Sequence, residues 1–239
     1  MNQHTVKAYG DELNQLTAEV VRMGGLAEAQ VADAIESVAR RDVALAKAVV
    51  ERDNRLDALH RDIEKKAIRL IALRQPVASD LRRTLGAMKL ASDLERTGDL
   101  AKNIAKRTHV LSQMPPIDGA GLALRRMSNA VGKMVQDALD SYIRRDAALA
   151  EDVRQRDLEV DQMYNALFRE FLTHMMEDPR NITACMHLHF IAKNVERMGD
   201  LATAIAEQVI YLVTGDLPDD SRPKDNRVPD LGADLPTGR

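Results

Sequence analysis

Glu95-Arg96-Thr97-Gly98-Asp99-Leu100-Ala101 returns later in the chain as Glu196-Arg197-Met198-Gly199-Asp200-Leu201-Ala202. This shared E-R-x-G-D-L-A core marks an internal duplication. Each copy sets a Glu and an Asp four residues apart, and on a helix residues i and i+4 lie on one face. Two carboxylates therefore point the same way in each copy. Like charges at that spacing weaken a helix by roughly 0.2–0.5 kcal/mol. A cation is expected to offset them, either a neighbouring Arg or a metal ion.

The repeat extends outward from this motif. Arg40-Arg41-Asp42-Val43-Ala44-Leu45-Ala46 matches Arg144-Arg145-Asp146-Ala147-Ala148-Leu149-Ala150, 104 positions on, and Arg52-Asp53 through Asp57 matches Arg156-Asp157 through Asp161. The E-R-x-G-D motif itself recurs after 101 positions. The second copy therefore loses about three residues, near Gln75-Pro76 and Asp178-Pro179, where an interhelical turn absorbs the loss.

Each copy reads as three helices. The first spans about His4 to Ala39, with Leu13, Leu16, Val20, Met23, Ala27 and Val31 on its apolar stripe. Asp42 is the expected N-cap of the second helix, because its carboxylate accepts from free amides of the first turn. That helix carries Leu45, Val49, Leu56, Ile63 and Leu70 at helical spacing. Pro76 is expected to end it and to start the third, whose apolar residues include Leu81, Leu85, Leu90, Leu94, Ile104 and Leu111. Pro115-Pro116 and Ile117-Asp118-Gly119 then break the helix and join the copies. The second copy repeats the plan near residues 120–142, 146–177 and 179–213.

Long helices with short turns pack antiparallel. The fold expected is all-α, a tandem duplication of an antiparallel three-helix bundle, with residues 4–112 as the first unit and 117–215 as the second. Residues 216–239 hold four of the eight prolines among Asp, Arg and Gly, and are expected to be disordered.

Composition agrees with this plan and excludes others. Of the 239 residues, 45% are hydrophobic but only 3% aromatic, and 30% are charged, a profile that favours packed helices over sheets. A formal net charge of −3 provides no global field for nucleic acid, and basic residues such as Arg82, Arg83, Arg125 and Arg126 are dispersed. The single Cys185 excludes an internal disulfide framework and reads as a small buried apolar side chain. No run of 18 apolar residues exists to span a membrane, and Met1 to Lys7 lacks the layout of a signal peptide. A cytoplasmic location is expected.

Four acid-x-x-x-acid pairs now stand out: Asp53/Asp57 and Glu95/Asp99 in the first copy, Asp157/Asp161 and Glu196/Asp200 in the second. Each copy places one pair on its second helix and one on its third. If those helices are neighbours, four carboxylates converge on one patch. Hard oxygen ligands suit magnesium, manganese, calcium or iron. The bland alternative is a solvated acidic face with Arg partners, since the surrounding stripe is largely polar. Two features weigh against it. The spacing recurs at matching positions, and each third-helix pair keeps a glycine, Gly98 or Gly199, where glycine costs roughly 1 kcal/mol relative to Ala. His60 follows Asp57 by three residues but matches Tyr164 in the second copy, and His187 and His189 point to different sides of a helix.

Gln75-Pro76-Val77-Ala78-Ser79-Asp80-Leu81-Arg82, with Asp93-Leu94-Glu95-Arg96-Thr97-Gly98-Asp99, resembles the first repeat of the PhoU family of phosphate-system regulators. Asp157 to Asp161, Leu167-Phe168-Arg169-Glu170 and Asn194-Val195-Glu196-Arg197-Met198-Gly199-Asp200 resemble the second. The resemblance covers roughly residues 4–215 in order. It implies a fold of two three-helix bundles and multinuclear metal clusters, with iron or zinc, and on the ligand chemistry manganese or magnesium, as the ions. Their ligands would be Asp53, Asp57, Glu95 and Asp99 in one cluster, and Asp157, Asp161, Glu196 and Asp200 in the other. After the second E-R-x-G-D the family often continues His-Ala-Thr-Asn, whereas this chain has Leu201-Ala202-Thr203-Ala204. That departure points to a weaker or different second cluster.

By the same resemblance, the expected function is a negative regulator of phosphate uptake and phosphate-starvation signalling, not an enzyme. Its expected partners are the subunits of a phosphate ABC transporter, a sensor histidine kinase and a second copy of itself as a homodimer, with no nucleic acid and no direct membrane insertion. The rival readings are a metal-dependent phosphoester hydrolase, a metal-handling helical bundle, and a metal-free adaptor whose acids dock basic partners. Di-iron bundles use Glu-x-x-His pairs, and no Glu in this chain is followed by His at i+3.

Overall fold

A computed structural model describes residues 3–218, with side chains from Gly10 onward. Apart from residues 216–218, the expectation of disorder in the tail lies outside the described residues. Six long helices follow one another: α1 (Gln3–Arg40), α2 (Val43–Arg74), α3 (Ala78–Leu111), α4 (Ala120–Arg144), α5 (Ala147–Glu177) and α6 (Ile182–Thr214). A single 3-10 turn, Pro179–Asn181, precedes α6. No strand occurs among the described residues. The tandem all-α duplication is the fold.

The turn between the first two helices of each repeat is built twice in the same way. Asp42 accepts from the amides of Ala44 and Leu45 at 2.9 Å, and Asp146 accepts from those of Ala148 and Leu149 at 3.0 Å. The residue before each cap, Arg41 or Arg145, takes a left-handed φ of 55°. Gln75, with φ 47°, ends α2 by returning its amide to the Ile71 carbonyl. Pro76 therefore does not open α3: the helix begins two residues later, with Val77 as its N-cap.

The apolar stripe of α1 is buried as its spacing implies, from Leu13 through Ala34. On α3 the expectation fails at Leu85, which is 49% exposed. There the helix turns the small residues Thr84, Gly86 and Ala87 inward instead. Gly86 packs closely there, since a Cβ would lie 3.0 Å from the Leu212 side chain of α6, tighter than an ordinary contact. Cys185 is fully buried, and burial pushes its thiol above the usual range.

The two bundles pack into one body. Helix α3 lies against α6 and α1 against α4, whereas α2 and α5 touch only helices of their own repeat. The core is therefore continuous across the seam, and α2 and α5 form the two flanks. Each acidic patch sits where a flank helix meets a central helix, α2 with α3 and α5 with α6.

Asp93 is a buried charge within α3. It is 6% exposed on α3, and its Oδ2 has no hydrogen-bond partner. Burial raises its carboxyl above the ordinary value, with Lys89 and Arg96 offsetting only part of this. Its match in the second repeat is Asn194, a neutral amide. A raised folded-state value means that the protonated form stabilises the fold and that this stability is lost as pH rises. Asp93→Asn should therefore match wild type near about pH 4 and exceed it by about 1 kcal/mol at neutral pH, read by urea unfolding at both.

Candidate metal centre

In the first repeat the other three carboxylates lie near enough to Glu95 for their charge to act on it. Glu95 is raised above its ordinary value first by burial, and then by the negative charges of Asp99, Asp57 and Asp53, with His60 pulling the other way. Asp53 is the deepest of the four, 3% exposed. Its Oδ1 accepts from the Gln30 side-chain amide of α1 at 2.9 Å, and the same amide reaches the Gly98 carbonyl at 3.2 Å. One residue of α1 thus ties the α2 acid to the α3 glycine.

A cation already stands among these acids. The Lys102 ammonium bridges Asp53 of α2 and Asp99 of α3. Burial alone would lower this amine, but hydrogen bonds to both carboxylates and their charge raise it well above its ordinary value. Lys102 stays protonated and supplies the positive charge that the i,i+4 acids call for. Neither Lys102 nor Gln30 was singled out from sequence. The available signal was comparison of the copies: Lys102 matches Thr203, and Gln30 matches Met134.

The second repeat keeps the backbone plan and changes the charges. Asp157 is buried at 5% exposure, the counterpart of Asp53. Thr203, also buried, donates its hydroxyl to the Gly199 carbonyl at 3.1 Å in its own helix. Glu196 is engaged from the rim by Lys193 at 2.7 Å, one turn earlier on the same helix. Lys193 also lies 5.1 Å from the Tyr164 ring centre. Glu196 is the more buried partner of this i,i+3 pair, its side chain 13% exposed against 38% for Lys193.

One brace is common to both patches. Arg52 pairs with Asp33 and Arg156 pairs with Asp137, the latter at 2.8 Å. These are matching residues 104 positions apart, and each ties the flank helix to the first helix of its repeat beside the deepest acid.

Carboxylates are the right donors for a hard cation. Among the described residues, however, no three His, Cys, Asp or Glu side chains converge closely enough to hold one. In the first patch the Lys102 ammonium fills the place of such an ion between two helices. In the second patch the lysine position is a threonine whose hydroxyl is already turned to its own helix. The donor chemistry fits a metal in both repeats. The second has a cation of its own close by, Arg154, buried one turn before Asp157 and paired with Glu151 and Glu207.

Two helical repeats packed across a shared seam, each carrying one acidic patch, define an all-α tandem-repeat protein. The chain belongs to the PhoU domain family, whose pattern it matches twice, over residues 20–108 and 124–209. A Caulobacter vibrioides protein named phosphate-specific transport system accessory protein PhoU homolog is 54% identical over 224 residues, covering 94% of this chain and 97% of its own length. A Rhizobium meliloti protein of the same name is 46% identical over 96% of this chain and 97% of its own. The crystal structure of PhoU from Pseudomonas aeruginosa superposes with a TM-score of 0.85 at 40% identity, over 87% of this chain and all of that one (100%). The phosphate transport system regulatory protein PhoU from Streptococcus pneumoniae gives 0.81 at 29% identity, over 88% of this chain and 99% of its own.

The two motif glycines make a differential test. A Cβ at Gly98 would lie 2.4 Å from Leu56 Cδ1, a side chain only 1% exposed, and 3.4 Å from Asp53 Oδ1. At Gly199 the nearest atom, Val160 Cγ1, is at an ordinary 3.4 Å. Gly98→Ala should cost about 1–3 kcal/mol through overpacking. Gly199→Ala should be neutral or gain up to about 1 kcal/mol from helix propensity. Urea unfolding of both variants reads the difference, and equal effects would contradict the unequal packing of the two patches.

Proposed function

We propose that this chain is a cytoplasmic accessory regulator of phosphate uptake, acting by binding rather than by turnover. The observation that carries this reading is the extent of its likeness to named accessory proteins of the phosphate-specific transport system, which spans nearly the whole of both chains. The architecture supports a binding role, since what it offers a partner is long helix faces. No helix among the described residues is long and apolar enough to cross a membrane, so access to a transporter would come through its soluble parts. Within this reading the chain contacts a phosphate ABC transporter and a sensor histidine kinase and holds starvation genes off when phosphate is plentiful. It acts as a homodimer, for which Ile182, Met186 and Phe190, an exposed stripe on α6, are the surface available.

The carboxylate patches enter the same proposal as ion sites of unequal kind. Asp157, Asp161, Glu196 and Asp200 hold a divalent or transition ion: iron, zinc, manganese or magnesium. The lost His and Asn after Asp200 weaken that patch relative to the family pattern, and Thr203 stands there in place of Lys102. Asp53, Asp57, Glu95 and Asp99 are balanced by Lys102 and admit an ion only when that ammonium withdraws.

Deleting the gene in its host should derepress phosphate-starvation genes in high-phosphate medium, with the wild-type chain restoring repression. Normal repression in the deletion strain would end the proposal. A chain carrying Asp157→Ala and Asp200→Ala should fold, judged by its helical circular dichroism, but fail to restore repression.

A further inference from the structure

The internal symmetry that relates the repeats creates a hollow at each end of the α3–α6 seam, and the two hollows have different fates. At one end the linker after α3 fills the space. Pro115, Pro116 and Ile117 line what is left, a cavity of about 140 Å³, and the Arg41 guanidinium donates to the Met114 carbonyl of that linker. At the opposite end a cavity of about 360 Å³ stays open between α1, α3, α4 and α6.

Matched positions show how the open hollow was changed. Arg145 takes the place of Arg41. Tyr142 stands where the filled hollow has Val38, Arg83 where it has Ala184, and Thr17 where it has Gly121. Three small or apolar positions have become a phenol, a guanidinium and a hydroxyl. Each hollow is lined by two arginines, Arg41 and Arg125 or Arg83 and Arg145, but only the open one adds hydroxyls to them, and such groups are costly to keep dry and unmatched. They make sense if the cavity takes a polar ligand.

The polar groups are arranged around one place. Tyr142 is 9% exposed and lines the cavity together with Thr17, whose hydroxyl donates to the Leu13 carbonyl at 3.0 Å. Burial pushes this phenol up, while Arg83 and Arg145 pull it down, so both guanidiniums act on the same hydroxyl. Arg83 reaches only the Asn14 side-chain oxygen, at a long 3.5 Å. Neither arginine is in an ion pair among the described residues. Arg145 is fixed at the helix end by its left-handed backbone and the bond from its amide to the Ser141 carbonyl. Asp80 also lines the cavity. One carboxylate against two guanidiniums leaves the hollow positive.

Guanidinium forks match phosphoryl and carboxylate oxygens in geometry and charge. The opposite wall is apolar, formed by Ile143, Val209, Leu212 and Val213. The volume is many times the roughly 30 Å³ share of one water, which leaves room for an organic body beside the anion. The geometry points to a binding site for a phosphorylated small molecule, its phosphoryl group between Arg83 and Arg145 with the Tyr142, Thr17 and Ser79 hydroxyls, its organic part against Val209 and Leu212. This site is separate from the carboxylate patches, and it needs no metal.

Calorimetric titration of the full chain, with chelator present, tests it with two probes: adenosine 5′-monophosphate and inorganic phosphate. The nucleotide should bind saturably at one per chain. Arg83→Gln/Arg145→Gln should weaken it by about tenfold or more, as expected when charged hydrogen bonds are lost, and Tyr142→Phe should weaken it less. Arg41→Gln, at the filled end, should leave it unchanged. Circular dichroism and the thermal midpoint check that each variant folds. Binding of inorganic phosphate with the same dependence on Arg83 and Arg145 would identify the free ion as sufficient, whereas nucleotide binding alone would assign a role to the apolar wall. No saturable binding of either probe, or equal binding by Arg83→Gln/Arg145→Gln, would overturn the inference. The chelator keeps that failure distinct from any failure of the metal reading.

Discussion

Negative charge gathered on two adjoining helices must be met by positive charge, and the first repeat is organised around that need. Asp53 is almost completely removed from water, where an unpaired carboxylate would cost several kcal/mol. Lys102 meets it, and through Asp99 it also links α2 to α3. Gln30 satisfies the remaining face of Asp53 and draws α1 into the same network. Three helices are thus held in register at one point, and Gly98 allows the approach because any side chain there would strike Leu56. The second repeat inherits the backbone of this device without its lysine or its glutamine, so its patch keeps the acids while the neutralising charge comes from elsewhere.

Much of the fold was legible because duplication doubles every signal. Helix number, the Asp42 and Asp146 caps and the proline-rich linker follow from local rules that act within a few residues of the chain. Two details did not follow. Pro76 lies outside α3, because the left-handed Gln75 had already closed α2. Leu85 faces water, because the seam with α6 takes the small Gly86 inside and one helix face cannot serve both. The choice was made by packing between repeats, which no pattern within one helix records.

The site was legible in its acids and illegible in its cations. Carboxylates four residues apart announce themselves by repetition, but what neutralises them depends on which long side chain reaches across from a neighbouring turn or helix. Lys102 looks like an ordinary surface lysine in sequence. Only its bridge between Asp53 and Asp99 gives it meaning. The same holds for the open hollow at the other end of the seam, where Arg83 is far in the chain from Tyr142 and Arg145 and comes near them only because α3 and α4 both pack against α6. In both places a difference between copies, Lys102 against Thr203 and Arg83 against Ala184, carried the information about the cations.

Lys102 occupies the place of an ion in the first patch, and metal content tests that consequence directly. Protein purified without chelator or affinity metal, incubated with iron, manganese, zinc and magnesium and then desalted, would be measured by elemental analysis beside Glu95→Ala/Asp99→Ala and Asp157→Ala/Asp200→Ala. Bound metal that survives the first pair of substitutions and disappears with the second is the predicted result. Metal lost with Glu95→Ala/Asp99→Ala and kept by Asp157→Ala/Asp200→Ala, or absent from wild type altogether, would contradict it.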